Sequence, residues 1–272
     1  MKPFTYHAPT TVDEAVAMLE QYQSSCAVVA GGTDVIIELN ERHKTPAHVI
    51  AIDKLSELRY IKEEEGLVKI GALTTFDDLE NDAYVQEHLP ALWETAVHVG
   101  SPQIRNLGTV GGNVVNASVA GDSPTTFLTY GAQVVLKSAG GERVMTIEDF
   151  NKGPGNCAIR PDELLTEIRF PALSGDEAVG YFKIGKRKSL AIVVLAVAIY
   201  IKRTPDNKVE DCRVVLGAVS KHPMRSPELE ALLKGRALTR QSLDDTLPAF
   251  TDAVQAAIPT RPSVVYKREG VR

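Results

Sequence analysis

The residues with the clearest chemical potential are glycines. Ala27-Val28-Val29-Ala30 reads as a short buried strand, and Gly31-Gly32-Thr33-Asp34 turns it into a helix whose apolar positions are Val35, Ile36 and Leu39. Paired glycines let a backbone approach a ligand closely, and unpaired N–H groups at a helix start attract an anion. Such a junction can cradle a diphosphate. Taken alone, a double glycine before a helix favours the plainer reading, a turn with Thr33 or Asp34 as the helix cap. A second dense segment is Gly108-Thr109-Val110-Gly111-Gly112-Asn113, and Asp122 follows nine residues after Asn113. A carboxylate beyond a glycine turn can accept from ribose hydroxyls or an adenine amine. Asn113, Asn116 and Asp122 can also simply cap their own turns. Neither segment has a Walker lysine or the G-x-G-x-x-G spacing, so a non-Rossmann dinucleotide site and a loop-rich region stand about even. Gly153-Pro154-Gly155-Asn156-Cys157-Ala158 fits the letters of a dinucleotide fingerprint. No apolar strand precedes it and Pro161 interrupts any following helix, so it carries little weight.

A cationic stretch, Tyr181-Phe182-Lys183-Ile184-Gly185-Lys186-Arg187-Lys188-Ser189, precedes the longest apolar run. It reads either as a solvated strand end or as a set of cations beside a redox ring that becomes negative on reduction. The histidines His7, His43, His48, His88, His98 and His222 form no metal-ligand pattern, and no G-x-S-x-G elbow is present. Cys26, Cys157 and Cys212 are odd in number and far apart, with no C-x-x-C. That excludes a disulfide framework and points to a reducing, cytoplasmic compartment.

The elements that must position these groups follow from pattern. The chain has 272 residues, 44% of them hydrophobic and 24% charged, with a formal charge of -5. Such a chain builds a real core and has no basic excess for nucleic acid or an anionic membrane. The longest apolar run, Leu190 to Ile201, falls short of the ~20 residues a membrane-spanning helix needs and reads as a buried strand. The start, MKPFTYHAPTT, has no apolar signal-peptide core. Thr11-Val12-Asp13-Glu14 is a capping-box pattern ahead of a helix through Val12, Ala15, Val16 and Leu19. Strands are expected at Val49–Asp53, Leu58–Lys62, Leu67–Gly71, Val134–Lys137, Val144–Thr146 and Leu164–Phe170, with helices at Phe76–Asn81 and Pro90–Val99. Pro171 to Gly175 has linker composition. Beyond it three strands (Val179–Gly185, Ile192–Lys202, Arg213–Val219) precede helices at Pro227–Lys234 and Arg240–Ile258. The class is α+β, with a domain boundary near residue 173.

Four segments together resemble the FAD-binding medium subunit of the molybdenum hydroxylases, the xanthine dehydrogenase and carbon monoxide dehydrogenase flavoprotein type. They are Val29-Ala30-Gly31-Gly32-Thr33-Asp34-Val35-Ile36; Thr109-Val110-Gly111-Gly112-Asn113 with Asn116-Ala117-Ser118 and Asp122-Ser123-Pro124; Phe150-x-x-Gly153 followed by Asp162-Glu163-Leu164-Leu165; and Lys183 to Val193. The resemblance covers nearly the whole chain. It implies a two-lobed FAD-binding domain of the vanillyl-alcohol-oxidase (PCMH) type over residues 1–173, with lobes of about 1–55 and 56–173. A smaller α+β domain with a three-stranded antiparallel sheet and helices would span 174–272. The diphosphate would lie on backbone amides of Gly31 to Val35 and of Gly111 to Asn113, with hydroxyls from Thr33 and Thr109. Asp122 would hold the adenosine end, and Val99 and Ile192 would make apolar contacts to the flavin with Lys186 nearby. Where the family carries Asp-x-Ala, this chain has Ala191-Ile192-Val193.

The implied activity is electron transfer within a heteromeric molybdenum hydroxylase acting on a purine or other N-heterocycle. A small subunit would supply a 2Fe–2S cluster, a large subunit the molybdopterin, and NAD⁺ or another acceptor would take the electrons. With the redox work done by the cofactor, no dedicated acid, base or metal ligand is expected in this chain. The alternatives are a self-contained flavin-dependent NAD(P)H reductase on the same fold and a non-enzymatic binding module.

Overall fold

The computed structural model describes residues 1–187 and 190–272. Lys188 and Ser189 of the cationic stretch lie outside the described residues. The chain opens with β1 (Thr5–His7), α1 (Val12–Tyr22), β2 (Cys26–Val29), α2 (Val35–Asn40) and β3 (His48–Ala51). The three strands form a parallel sheet of order β1-β3-β2. This first lobe is therefore a small βαβ array, a regularity masked in the sequence by the brevity of β1. Thr11 caps α1 by accepting from the Glu14 N–H, but the Glu14 carboxylate reaches one residue further back, to the N–H of Thr10 at 2.7 Å. Val12, Ala15, Val16 and Leu19 of α1 pack on Ile50 and Ile52 as their spacing requires.

The second lobe contains β4 (Ile61–Glu64), β5 (Leu67–Gly71), α3 (Phe76–Asn81), α4 (Ala83–His88), α5 (Pro90–Val97), α6 (Pro102–Arg105), α7 (Val110–Asn116), α8 (Asp122–Tyr130), β6 (Gln133–Ser138), β7 (Gly141–Thr146), α9 (Ile147–Phe150), β8 (Asn151–Gly153), β9 (Asn156–Cys157) and β10 (Leu164–Pro171). An antiparallel sheet of order β4-β5-β10-β6-β7 forms its frame, and β8 pairs with β9 as a short hairpin. That hairpin is what the Gly153–Ala158 segment becomes; no strand-to-helix junction exists there. The Gly/Asn-rich stretch folds as α7, and the nine residues of α8 are all buried.

The remainder comprises β11 (Glu177–Gly185), β12 (Val193–Arg203), β13 (Val209–Gly217), β14 (Met224–Arg225), α10 (Pro227–Leu233), α11 (Arg240–Asp244), α12 (Leu247–Ala257) and α13 (Val264–Gly270). The three expected strands are joined by the two-residue β14 in an antiparallel sheet of order β11-β12-β13-β14. The helix expected over Arg240–Ile258 is split, because Pro248 fits only a first turn. The two faces of this sheet serve different cores. Ala196, Ala198 and Tyr200 of β12 join the cluster built by Phe76, Phe127 and Tyr130. Leu195 of β12 and Val214 and Leu216 of β13 face Leu229, Phe250 and Val254 of the helices. Among the described residues, no helix is long and apolar enough to cross a membrane.

Candidate functional site: a cleft between the lobes

A cavity of about 550 Å³ opens between the first two lobes, within the ~300–1,000 Å³ usual for cofactor pockets. Its first wall is the turn after β2. Parallel strands place ligands outside their carboxyl ends, and this turn leaves the sheet there. Ala30, Gly31, Gly32, Thr33, Asp34 and Val35 all line the cavity. None of the five backbone N–H groups from Gly31 to Val35 donates to a protein acceptor among the described residues. Buried or half-buried amides are rarely left without partners. Five in succession, on residues that line one cleft and of which only Asp34 is exposed, offer donors to an anion.

The second wall is the start of α7. Thr109 caps this helix by accepting from the Gly112 N–H at 3.1 Å, and its hydroxyl proton remains free to donate into the cavity. Gly111 and Gly112 line the cavity as expected. Their amides, however, and that of Asn113 already have acceptors within the protein. The Gly111 N–H goes to the Ala72 carbonyl (3.0 Å), that of Gly112 to Thr109, and that of Asn113 to the Thr109 carbonyl (3.0 Å). The second glycine segment thus contributes closeness rather than donors: a Cβ on Gly111 would lie 2.7 Å from the Ala72 Cβ. The two walls also touch. A Cβ on Gly31 would fall 1.6 Å from the Leu107 carbonyl oxygen, so only glycine allows the first turn to meet the loop before α7.

An apolar wall completes the cleft, made by Ile52 beyond β3 and by Ile159, Pro161, Leu164 and Leu165 leading into β10. The signal for it lay in the Asp162–Leu165 segment, whose Glu163 proves to be its anchor. Glu163 is buried and accepts from Arg143 Nε at 2.5 Å, Arg143 Nη2 at 2.8 Å and the Arg160 N–H at 2.7 Å. Burial works to raise this carboxyl, but the Arg143 guanidinium and the Arg160 amide together hold it below the ordinary carboxylate range. Gly155, from the discarded fingerprint, also lines the cavity.

The remaining expected site residues lie elsewhere. Val29 and Val110 back the two walls without facing the cavity, and Ile36 and Ile192 are exposed. Lys186 is exposed, and Arg187 folds back onto the Leu190 carbonyl. The Asn113 side chain accepts from the Ser123 hydroxyl at 2.7 Å. Asp122 does not line the cavity. It starts α8, where an acid complements the helix dipole, and binds Lys183 Nζ at 2.7 Å and the Tyr181 hydroxyl at 3.0 Å. Burial holds its carboxyl above the ordinary carboxylate range, and Lys183 and Tyr181 offset only part of the rise. Lys183 Nζ also donates to the carbonyl of His98. Asp122 therefore sits with the His98–Val99 turn, apart from the apolar wall. The imidazole of His98 bonds its own helix, at the Glu94 carbonyl. Among the described residues, no group of three or more His, Cys, Asp or Glu could hold a metal ion.

The cleft fits a dinucleotide: a diphosphate-sized donor surface, hydroxyls at Thr33 and Thr109, and an apolar shelf to one side. Comparison with known proteins gives the same answer. A family model described as the FAD binding domain in molybdopterin dehydrogenase matches residues 2–173, and the CO dehydrogenase flavoprotein C-terminal domain matches residues 180–272. The chain is 41% identical to the nicotinate dehydrogenase FAD-subunit of Eubacterium barkeri, over 100% of this chain and 93% of that one. It is 33% identical to a putative xanthine dehydrogenase FAD-binding subunit of Escherichia coli, over 95% and 87% respectively. The structure superposes on carbon monoxide dehydrogenase from Hydrogenophaga pseudoflava with a TM-score of 0.88 at 30% identity, covering 100% of this chain and 96% of that one.

The protein is thus an FAD-binding oxidoreductase component. The chain belongs to the medium subunits of the molybdenum hydroxylases, of carbon monoxide dehydrogenase and xanthine dehydrogenase type.

Proposed function

We propose that this chain holds FAD across the interlobe cleft and carries electrons within a heteromeric molybdenum hydroxylase that oxidises an N-heterocycle. The observation that carries the reading is the run of five cavity-lining residues, Gly31 to Val35, whose amides have no acceptor among the described residues. Those amides would bind the diphosphate, with the Thr33 and Thr109 hydroxyls beside them. The adenosine would rest on Ile52, Ile159 and Leu164. Asp122 and Lys183 would then stand at the isoalloxazine end with Val99, and Lys186 and Ile192 would lie further out on the same side. Bound there, FAD would supply the redox chemistry, joining single electrons from a partner's 2Fe–2S cluster into a pair for NAD⁺ or another acceptor. The chain's own part is to bind, orient and shield.

Support for partner chains comes from the relatives, which are named as subunits or medium chains. A large molybdopterin subunit and a small 2Fe–2S subunit, in the cytoplasm, complete the reading. The substrate class rests on the similarity to the nicotinate dehydrogenase FAD-subunit. The test is a pull-down of the tagged chain from its native cell with a visible spectrum of the eluate. A flavin spectrum with two co-purifying chains, one with 2Fe–2S and one with molybdopterin, is expected. A yellow chain that comes down alone and oxidises NADH would overturn the partner reading, and a colourless chain that takes up no FAD would overturn the cofactor reading.

A further inference from the structure

The helix α8 is held at both ends by the sheet β11-β12-β13, and it in turn holds the second cavity wall. At its start, Asp122 is tied to Tyr181 and Lys183 of β11. At its end, the Thr129 carbonyl accepts from Arg213 Nε of β13 at 2.7 Å. The Gly131 N–H already serves the Phe127 and Leu128 carbonyls, and Arg213 takes that of Thr129, which the helix cap does not reach. The Arg213 guanidinium lies 3.9 Å from the centre of the Tyr200 ring on β12 and has no carboxylate within ion-pair distance among the described residues. A half-buried cation placed this way is bound by a helix C-terminus and a ring face rather than by a counter-charge. The helix also lies directly against β13, because a Cβ on Gly217 would lie 2.6 Å from Thr125 Oγ1.

From α8 the tie continues to the cavity. Ser123, next to Asp122, donates to the Asn113 side chain on α7. Gly111, Gly112, Val115 and Asn116 of α7 line the cleft. Arg213 lines none of it. The geometry points to Arg213 as a positioning residue for the cofactor cleft, acting through α8 and α7. Loss of its hydrogen bond leaves the Thr129 carbonyl buried without a partner, and the helix relieves this by shifting along its axis. Such a shift pulls on the Ser123–Asn113 bond and loosens the wall that begins at Thr109.

The inference rests on the FAD reading for its consequence, but not for its mechanics, and the experiment separates the two. Arg213→Met in the full chain is compared with Val254→Ala, a change in the separate cluster beneath α10 and α12. Without cofactor, amide exchange across residues 110–116 is expected to quicken by about fivefold in Arg213→Met, as local opening becomes easier, and to stay unchanged in Val254→Ala. The FAD dissociation constant is expected to rise by about tenfold in Arg213→Met only, the scale of one hydrogen bond from a charged donor. Arg213→Lys keeps a donor and is expected to recover part of both effects; it carries the test if Arg213→Met does not fold. Equal changes in the Arg213 and Val254 variants, or unchanged exchange in α7, would overturn the role of Arg213. A wild-type chain that takes up no FAD would sink the cofactor reading, while the exchange comparison would still decide whether Arg213 reaches α7.

Discussion

Gly31→Ala perturbs the tightest backbone approach made by any glycine of this chain. Its Cβ would lie 1.6 Å from the Leu107 carbonyl oxygen, where real contacts begin near 3.4 Å. The first turn and the loop before α7 would have to part by the difference, about 1.8 Å. Overpacking of this kind carries about 1–3 kcal/mol when neighbours cannot yield. Both partners here are surface segments beside an open cleft, so without cofactor they separate and the strain largely disappears. With cofactor bound, the donor surface must close again and the strain returns. The penalty therefore falls on affinity rather than on folding, a weakening of about 5- to 150-fold. The assay is FAD titration by flavin fluorescence, alongside thermal unfolding of the cofactor-free chain. Gly175→Ala is the control, since a Cβ there meets nothing within 4 Å. Gly31→Ala with wild-type affinity, or a large drop in cofactor-free stability with affinity intact, would refute the reasoning.

Two further substitutions test the buried ion pairs. Lys183→Met leaves the Asp122 carboxylate buried without its cation, which costs about 3–5 kcal/mol and lowers Tm by roughly 6–20 °C at pH 7. Burial already raises this carboxyl, and removing the ammonium raises it further. Stability of that kind is present at low pH and lost as pH rises, so the deficit should narrow between pH 7 and pH 5; a deficit that widened would contradict the account. Glu163→Gln removes the anchor of the apolar wall, at about 1.5–3 kcal/mol near neutrality. The folded carboxyl titrates below its ordinary value of 4.5, so its contribution is present above that value and lost as pH falls through the depressed one. Thermal unfolding should show wild type and variant converging in acid, and parallel curves down to pH 2 would count against the network.

Sequence pattern revealed elements with one polar face and hid those without one. The strands β5 and β10 and the helix α3 carry the alternation or caps that their settings demand. The segment Asp122–Tyr130 does not: it is buried on every side, and its Ser, Pro and Thr residues have no helical stripe to show. Thr126 and Thr129 satisfy themselves inside the fold, by Thr95 and by the Thr125 carbonyl, which composition alone cannot announce. The site was legible where it is local. Gly31 to Val35 betray themselves by glycine spacing before a helix. The bond between Asp122 and Lys183 spans 61 residues, and only the fold brings the two together. The engaged amides of Gly111 to Asn113 were equally invisible, because their acceptors include Ala72, on the loop after β5.

The shared core has a consequence for how the chain is made. Phe127 and Tyr130 belong to one apolar cluster with Tyr181, Ala198, Tyr200 and Val215. A ribosome delivers the first two lobes while those last four residues are still unsynthesised. Until β11 emerges Asp122 has no ammonium, and until β12 and β13 follow, one side of α8 has nothing to rest against. The nascent chain therefore spends its elongation with apolar surface open to other nascent chains, the condition in which aggregation competes with folding. A stop codon just after residue 173 would make that interval permanent, so the N-terminal segment is a product that needs its downstream sequence, or a chaperone in its place, to stay in solution.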